Sequence, residues 1–123
     1  MFGLSYHLDC YGCKGDLDSL EVGYRFLEQL VEFIDMKAFS PPLVFHAPRV
    51  GGIELYPDKA GITGFIALIT SSITIHTIVP EKFLTLDVYS CKDFNTDKVL
   101  EFTRKFYEFQ NEHQQTLYRG KDY

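Results

Sequence analysis

From residue 18 onward the apolar positions Leu20, Tyr24, Leu27, Val31 and Ile34 recur at intervals of three and four, with Glu21, Arg25, Glu28, Gln29 and Glu32 between them. That period lays one apolar stripe along a helix and leaves the opposite face charged. It predicts an amphipathic helix over residues 18–36, and Asp18 followed three places later by Glu21 reads as a capping box at its start. Before it, Leu4–Tyr11 is a short mixed stretch ending at Gly12 and predicts a first strand.

Pro41 and Pro42 stop the helix, and "LVFHA" predicts a strand over Leu43–Ala47. The next segment, "PRVGGIELYPDKAG", holds two prolines and three glycines and reads as a long surface loop. Three strands follow, at 63–69, 73–78 and 83–89. The last alternates cleanly, with Leu84, Leu86 and Val88 on one parity and Phe83, Thr85, Asp87 and Tyr89 on the other. A second helix over 96–110 carries Val99, Phe102, Phe106 and Phe109 in its stripe, with Asn95 as N-cap. A short strand at 116–118 completes the pattern.

Short links between the central strands favour antiparallel pairing. The element order therefore predicts an α+β fold, a two-layer sandwich of a mainly antiparallel sheet with two helices on one face. At 123 residues and 46% apolar content, the chain is sized for a single domain spanning 1–123. The formal net charge is −5 and the basic residues are scattered, so the electrostatic footprint of a nucleic-acid binder is missing. No apolar run approaches the roughly 18 residues of a membrane span, and "MFGLSYHLDCYG" has neither the basic flank nor the apolar stretch of a signal peptide. The expectation is a soluble, cytoplasmic protein that touches neither membrane nor nucleic acid. Cys10, Cys13 and Cys91 form an odd set and are expected as free thiols.

The chemistry-bearing stretches narrow quickly. In "HLDCYGC", His7, Cys10 and Cys13 have spacings seen in metal sites, yet on a strand residues 7 and 13 share a face that residue 10 does not. No metal is expected there. Phosphate-cradling glycine loops are absent. What remains is "ITSSITIHT", which packs Thr70, Ser71, Ser72, Thr74 and Thr77 around His76 between two apolar runs. As a plain strand, it would show Thr74 and His76 outward and Ile73 and Ile75 inward, after a tight turn at residues 70–72. No acid follows in a context that would orient the imidazole as a hydrolytic triad needs.

Taken together, "YHLDCYGC", "GITGF" from Gly61, "SSITIHT" from Ser71, "LDVYSCKDF" from Leu86 and "YRG" from Tyr118 resemble, in order and nearly in spacing, the prokaryotic S-adenosylmethionine decarboxylase proenzymes, in a divergent decarboxylase-related branch. The resemblance runs over nearly the whole chain. It implies a pyruvoyl cofactor made from the chain itself, by cleavage between Thr70 and Ser71 in a strained turn. By match, Ser71 is the nucleophile and pyruvoyl precursor, His76 the processing histidine, Thr63 stands for a processing serine, and Cys91 is the proton donor. Thr70 and Glu81 fall at substrate-binding positions. The implied activity is pyruvoyl-dependent decarboxylation of S-adenosylmethionine for polyamine (spermidine) synthesis, by a homodimer acting on a small-molecule substrate.

The family usually has glutamate where this chain has Thr70, and "HTIVPE" here replaces a shorter aromatic-containing string. Those differences motivate two alternatives. One is a decarboxylase of a basic amino acid such as arginine or ornithine. The other is a non-processing, non-catalytic relative that binds a ligand or a paralogue.

Overall fold

A computed structural model describes residues 2–123. The chain runs β1 (Leu4–Tyr11), α1 (Leu20–Phe33), β2 (Leu43–Ala47), β3 (Arg49–Val50), β4 (Ile53–Glu54), β5 (Gly61–Ala67), β6 (Ser71–Ile78), β7 (Phe83–Ser90), α2 (Thr96–Tyr107) and β8 (Asn111–Tyr118). Six strands form one sheet in the order β2-β5-β6-β7-β1-β8, antiparallel at every pairing. The sheet buries one face against α1 and α2, so the expected α+β two-layer sandwich is the observed one. Among the described residues no helix is long and apolar enough to cross a membrane.

Both helices form near where the apolar period puts them, but the buried face of α1 is rotated from the expected stripe: Gly23, Phe26, Leu27, Leu30 and Val31 are buried while Leu20 and Tyr24 are exposed, and Phe109 lies beyond the end of α2. Phe26 of α1 is fully buried, with its ring centroid 5.6 Å from Phe102, 5.2 Å from Phe106 and 5.1 Å from Tyr107 of α2. Beneath them the inward parity of the central strands supplies Leu8, Ile73, Ile75, Leu84, Leu86 and Val88, none more than marginally exposed. Period 2 on the sheet and period 3.6 on the helices thus converge on one core.

Several boundaries differ from the sequence reading. The cap of α1 is Ser19, whose hydroxyl accepts from the Val22 amide at 3.1 Å, and not an Asp18–Glu21 box. Asp18 instead lies 3.5 Å from the imidazole of His46. The helix ends at Phe33, short of residue 36, because Asp35 takes a left-handed φ of 58°. In the same way α2 ends at Tyr107, where Glu108 turns left-handed at φ 49°, and Asn95 caps its start as expected. The long loop contains a small hairpin, β3–β4, closed by Gly51 and Gly52 at φ 57° and 79°, as a two-residue type I′ turn requires. The last strand is longer than residues 116–118, spanning Asn111–Tyr118.

The boundary that matters most lies between β5 and β6. Leu68 and Ser71 exchange backbone hydrogen bonds, at 2.9 Å from Leu68 N to Ser71 O and 3.5 Å in return. The tight turn is therefore Ile69–Thr70, not residues 70–72, and Ser71 already opens β6. The far end of β6 is pinned by Gly61, where an added Cβ would sit 1.9 Å from the Thr77 carbonyl oxygen, and by the Thr77 hydroxyl, which bridges the Ile62 amide and the Leu17 carbonyl.

Candidate active site

The tip of the β5–β6 hairpin leans on the end of β7. Ser71, first in β6, is registered with Ser90, last in β7. This brings the Thr70–Ser71 peptide against residues 90–92. The carbonyl of Thr70 accepts from the Cys91 amide at 3.2 Å and from the Cys91 thiol at 3.3 Å. The Ser71 hydroxyl donates to Ser90 Oγ at 2.6 Å and lies 2.9 Å from Thr70 Oγ1. Met36, just beyond α1, closes that side with its sulfur 3.5 Å from Ser71 Oγ. A shallow cleft of about 200 Å³, bordered by Met36, Lys37, Ile69, Thr70 and Lys92, opens beside the turn.

The Ser71 hydroxyl is therefore fixed by Ser90 and Thr70 Oγ1, one residue after a carbonyl that already holds two donors. Donors fixed where negative charge will develop are what an acyl-transfer step needs. The amide is the stronger of the two, since a thiol donates weakly.

His76 and Thr63 form a second constellation. They are registered across β5 and β6, with Thr63 Oγ1 3.0 Å from His76 Nδ1. Strand parity sends both to the open face of the sheet, as expected for His76, where they line a cleft of about 360 Å³ with Pro48, Tyr56, Lys59 and Ile78. Ser71 lies on the helix side, five residues back along the same strand, about 17 Å away at the usual rise. One chain thus gathers Ser71, Thr70 and Cys91 but not His76 and Thr63. Glu81 is exposed in the 3-10 turn Val79–Glu81 beyond the opposite end of β6. Lys82, left-handed at φ 50°, closes that turn.

The early cysteines lie elsewhere. Gly12, at φ 67°, turns the chain so that Cys10 and Cys13 both enter the core, while His7 stays on the open face and bonds Asp87 at 2.7 Å. The sharing of a face by residues 7 and 13 is therefore not what the chain adopts. Ser5 reaches His7 Nε2 at 3.0 Å, which gives a Ser–His–Asp order. However, β1 is flanked by β7 and β8, so its amides are committed to ladders and none is spare to hold an oxyanion.

A family model described as S-adenosylmethionine decarboxylase matches residues 4–120. The chain belongs to the S-adenosylmethionine decarboxylase family. The S-adenosylmethionine decarboxylase proenzymes of Clostridium botulinum strains Loch Maree and 657 are each 28% identical to it over 120 residues, 94% of either chain. The crystal structure of the adenosylmethionine decarboxylase from Aquifex aeolicus VF5 superposes with a TM-score of 0.78 at 24% identity, over 97% of this chain and 91% of that one, and so shares the fold.

One residue of this site escaped the family resemblance. Ser90 is fully buried on the parity that carries Leu84, Leu86 and Val88. A hydroxyl on an apolar parity, immediately before Cys91, is the signal that could have found it.

The thiols themselves are unequal. Burial pushes the Cys13 thiol up to about 11 and that of Cys10 upward as well, while Cys91 is exposed. Since the thiolate is the reactive form, brief iodoacetamide treatment of the folded chain near pH 8 should add one group, on Cys91, and three after denaturation. Peptide mass mapping checks this, and adducts on Cys10 or Cys13 in the folded chain would contradict it.

Proposed function

We propose that this chain is a pyruvoyl-dependent decarboxylase of S-adenosylmethionine that matures by cutting itself between Thr70 and Ser71. The observation that carries the reading is the Thr70 carbonyl held by both donors of Cys91, with the hydroxyl of the next residue, Ser71, fixed 2.9 Å from Thr70 Oγ1.

In the first step Ser71 Oγ bonds to the Thr70 carbonyl carbon and the π pair moves onto the oxygen, toward the Cys91 amide and thiol. As the carbonyl re-forms, the C–N bond breaks and its pair stays on the Ser71 nitrogen. That nitrogen gains the proton Oγ has lost, leaving an ester. Loss of the Ser71 Cα proton then expels the Thr70 carboxylate from Cβ, and water converts the resulting enamine to a ketone with release of ammonia. Atoms and charge balance without an external oxidant.

The pyruvoyl group so formed at residue 71 supplies a carbonyl that accepts the electron pair freed when carbon dioxide leaves a substrate. Cys91 carries a proton at the same place and returns it to carbon. The cleft beside Thr70 and Lys92 is the opening that borders the scissile peptide.

A homodimer is part of the reading. Leu43, Phe45, Phe65 and Leu117 are exposed, and strand parity puts them on the open face that also bears His76 and Thr63. A second copy covering that face would bury them. His76 lies about 17 Å from Ser71 of its own chain and on the opposite face of the sheet, where the covering copy would meet it.

Release of labelled carbon dioxide from carboxyl-labelled S-adenosylmethionine, beside labelled arginine and ornithine, tests the substrate. The expected result is release from S-adenosylmethionine alone. Release from arginine or ornithine instead would overturn the substrate assignment.

A further inference from the structure

We infer that Ser90 is a positioning residue for self-cleavage, holding the Ser71 hydroxyl in the orientation that attacks Thr70. This rests on the processing reading above and names a participant that reading does not need.

Ser90 has no exposed surface. A buried hydroxyl is costly unless bonded, and this one is fully engaged. Its oxygen accepts from Ser71 Oγ at 2.6 Å and from the Lys92 amide at 2.9 Å. Both lone pairs are then used, and the remaining hydrogen faces Thr70 Oγ1 at 3.5 Å. With Thr70 Oγ1 2.9 Å from Ser71 Oγ, the three hydroxyls close a ring. The Lys92 amide anchors that ring to the backbone.

The consequence is a fixed rotamer. An unrestrained serine visits three staggered wells. Here the short bond to Ser90 selects one, turns the Ser71 hydrogen toward β7 and leaves an oxygen lone pair free for the Thr70 carbon. No ionised group touches the Ser71 oxygen among its hydrogen-bond partners, which are Thr70, Ser90 and Met36. Orientation is therefore what the surroundings can contribute, and loss of orientation in an intramolecular step costs on the order of 100-fold in rate. Packing alone does not explain a serine at this position, because its parity neighbours are Leu86 and Val88 and an alanine would fill nearly the same space.

The test is a time course of cleavage of the full chain made by in vitro translation, for wild type, Ser90→Ala and Ser90→Thr, with thermal midpoints of the purified proteins. The expected result is cleavage slowed roughly 100-fold in Ser90→Ala, a midpoint close to wild type, and a rate near wild type in Ser90→Thr, which keeps the hydroxyl. Hydroxylamine, which cuts an accumulated ester, should not speed the alanine variant, because the step lost precedes the ester. Wild-type cleavage in Ser90→Ala would overturn the inference. So would equal slowing in Ser90→Thr, or hydroxylamine rescue of the alanine variant. Failure of wild type itself to cleave would be a different result, removing the processing reading beneath it.

Discussion

Replacing Ser71 with alanine leaves a single chain of 14.2 kDa and abolishes carbon dioxide release, the largest effect expected of any substitution here. The loss is complete because one oxygen serves two purposes. In the proposed reaction Ser71 Oγ attacks the Thr70 carbonyl, and residue 71 is also the carbon source of the ketone. Without it there is neither cut nor electron acceptor. The fold should survive, since the change removes one half-buried hydroxyl whose hydrogen bonds are worth about 1 kcal/mol each. Ser72 cannot take over, because strand parity turns it to the open face, away from residues 90 and 91. A Ser71→Ala chain that still split by denaturing gel and intact mass would contradict the assignment of the nucleophile.

The second large effect is expected at Cys91, and it divides into two. In Cys91→Ala the backbone amide still reaches the Thr70 carbonyl at 3.2 Å, and only the weaker thiol donor is gone. Cleavage should therefore proceed, slowed by about fivefold, a single weak donor being worth about 1 kcal/mol. Decarboxylation per cleaved chain should fall much further, by a factor of about 10² to 10⁴, because a positioned proton donor has been removed. The measurement is the fraction cleaved by mass, then carbon dioxide release normalised to that fraction. Undiminished release per cleaved chain would remove Cys91 from the proton-donor role. Complete failure to cleave would show that the thiol, rather than the amide, stabilises the developing oxyanion.

How far the sequence discloses this site depends on the distance over which its signals act. Strand parity in "SSITIHT" and "FLTLDVYS" is local, so the inward Ile73, Ile75, Leu84 and Leu86 and the outward His76 are legible directly. Caps are local too, but Asp18 and Ser19 compete for one position, and the hydroxyl nearer the Val22 amide takes it. The polar strand "NEHQQTLY" gives no alternation because β8 is an edge strand whose helix-side residues Gln114, Thr116 and Tyr118 are left exposed, so only its end resembled a strand.

The separation of His76 from Ser71 also follows from parity and strand rise. The resemblance drew them together by role, whereas period 2 puts positions 71 and 76 on opposite faces. What no local signal could supply is the alignment of β6 with β7. That register is set by the 3-10 turn Val79–Glu81 and left-handed Lys82, and it alone brings Ser90 and Cys91 to Thr70 and Ser71.

Thr70 stands where the resemblance implies a glutamate, and its surroundings give the threonine a use. A glutamate at this place would put a carboxylate at the turn. The threonine instead puts a hydroxyl 2.9 Å from Ser71 Oγ, within the ring that Ser90 completes. Self-cleavage is thus expected to persist despite the change.

The most direct test is the intact mass of freshly purified wild-type protein under denaturing conditions. Two fragments covering residues 1–70 and 71–123, the second bearing an amino-terminal ketone in place of serine, are the result this account predicts. A single chain of 14.2 kDa that stays whole on incubation would contradict it.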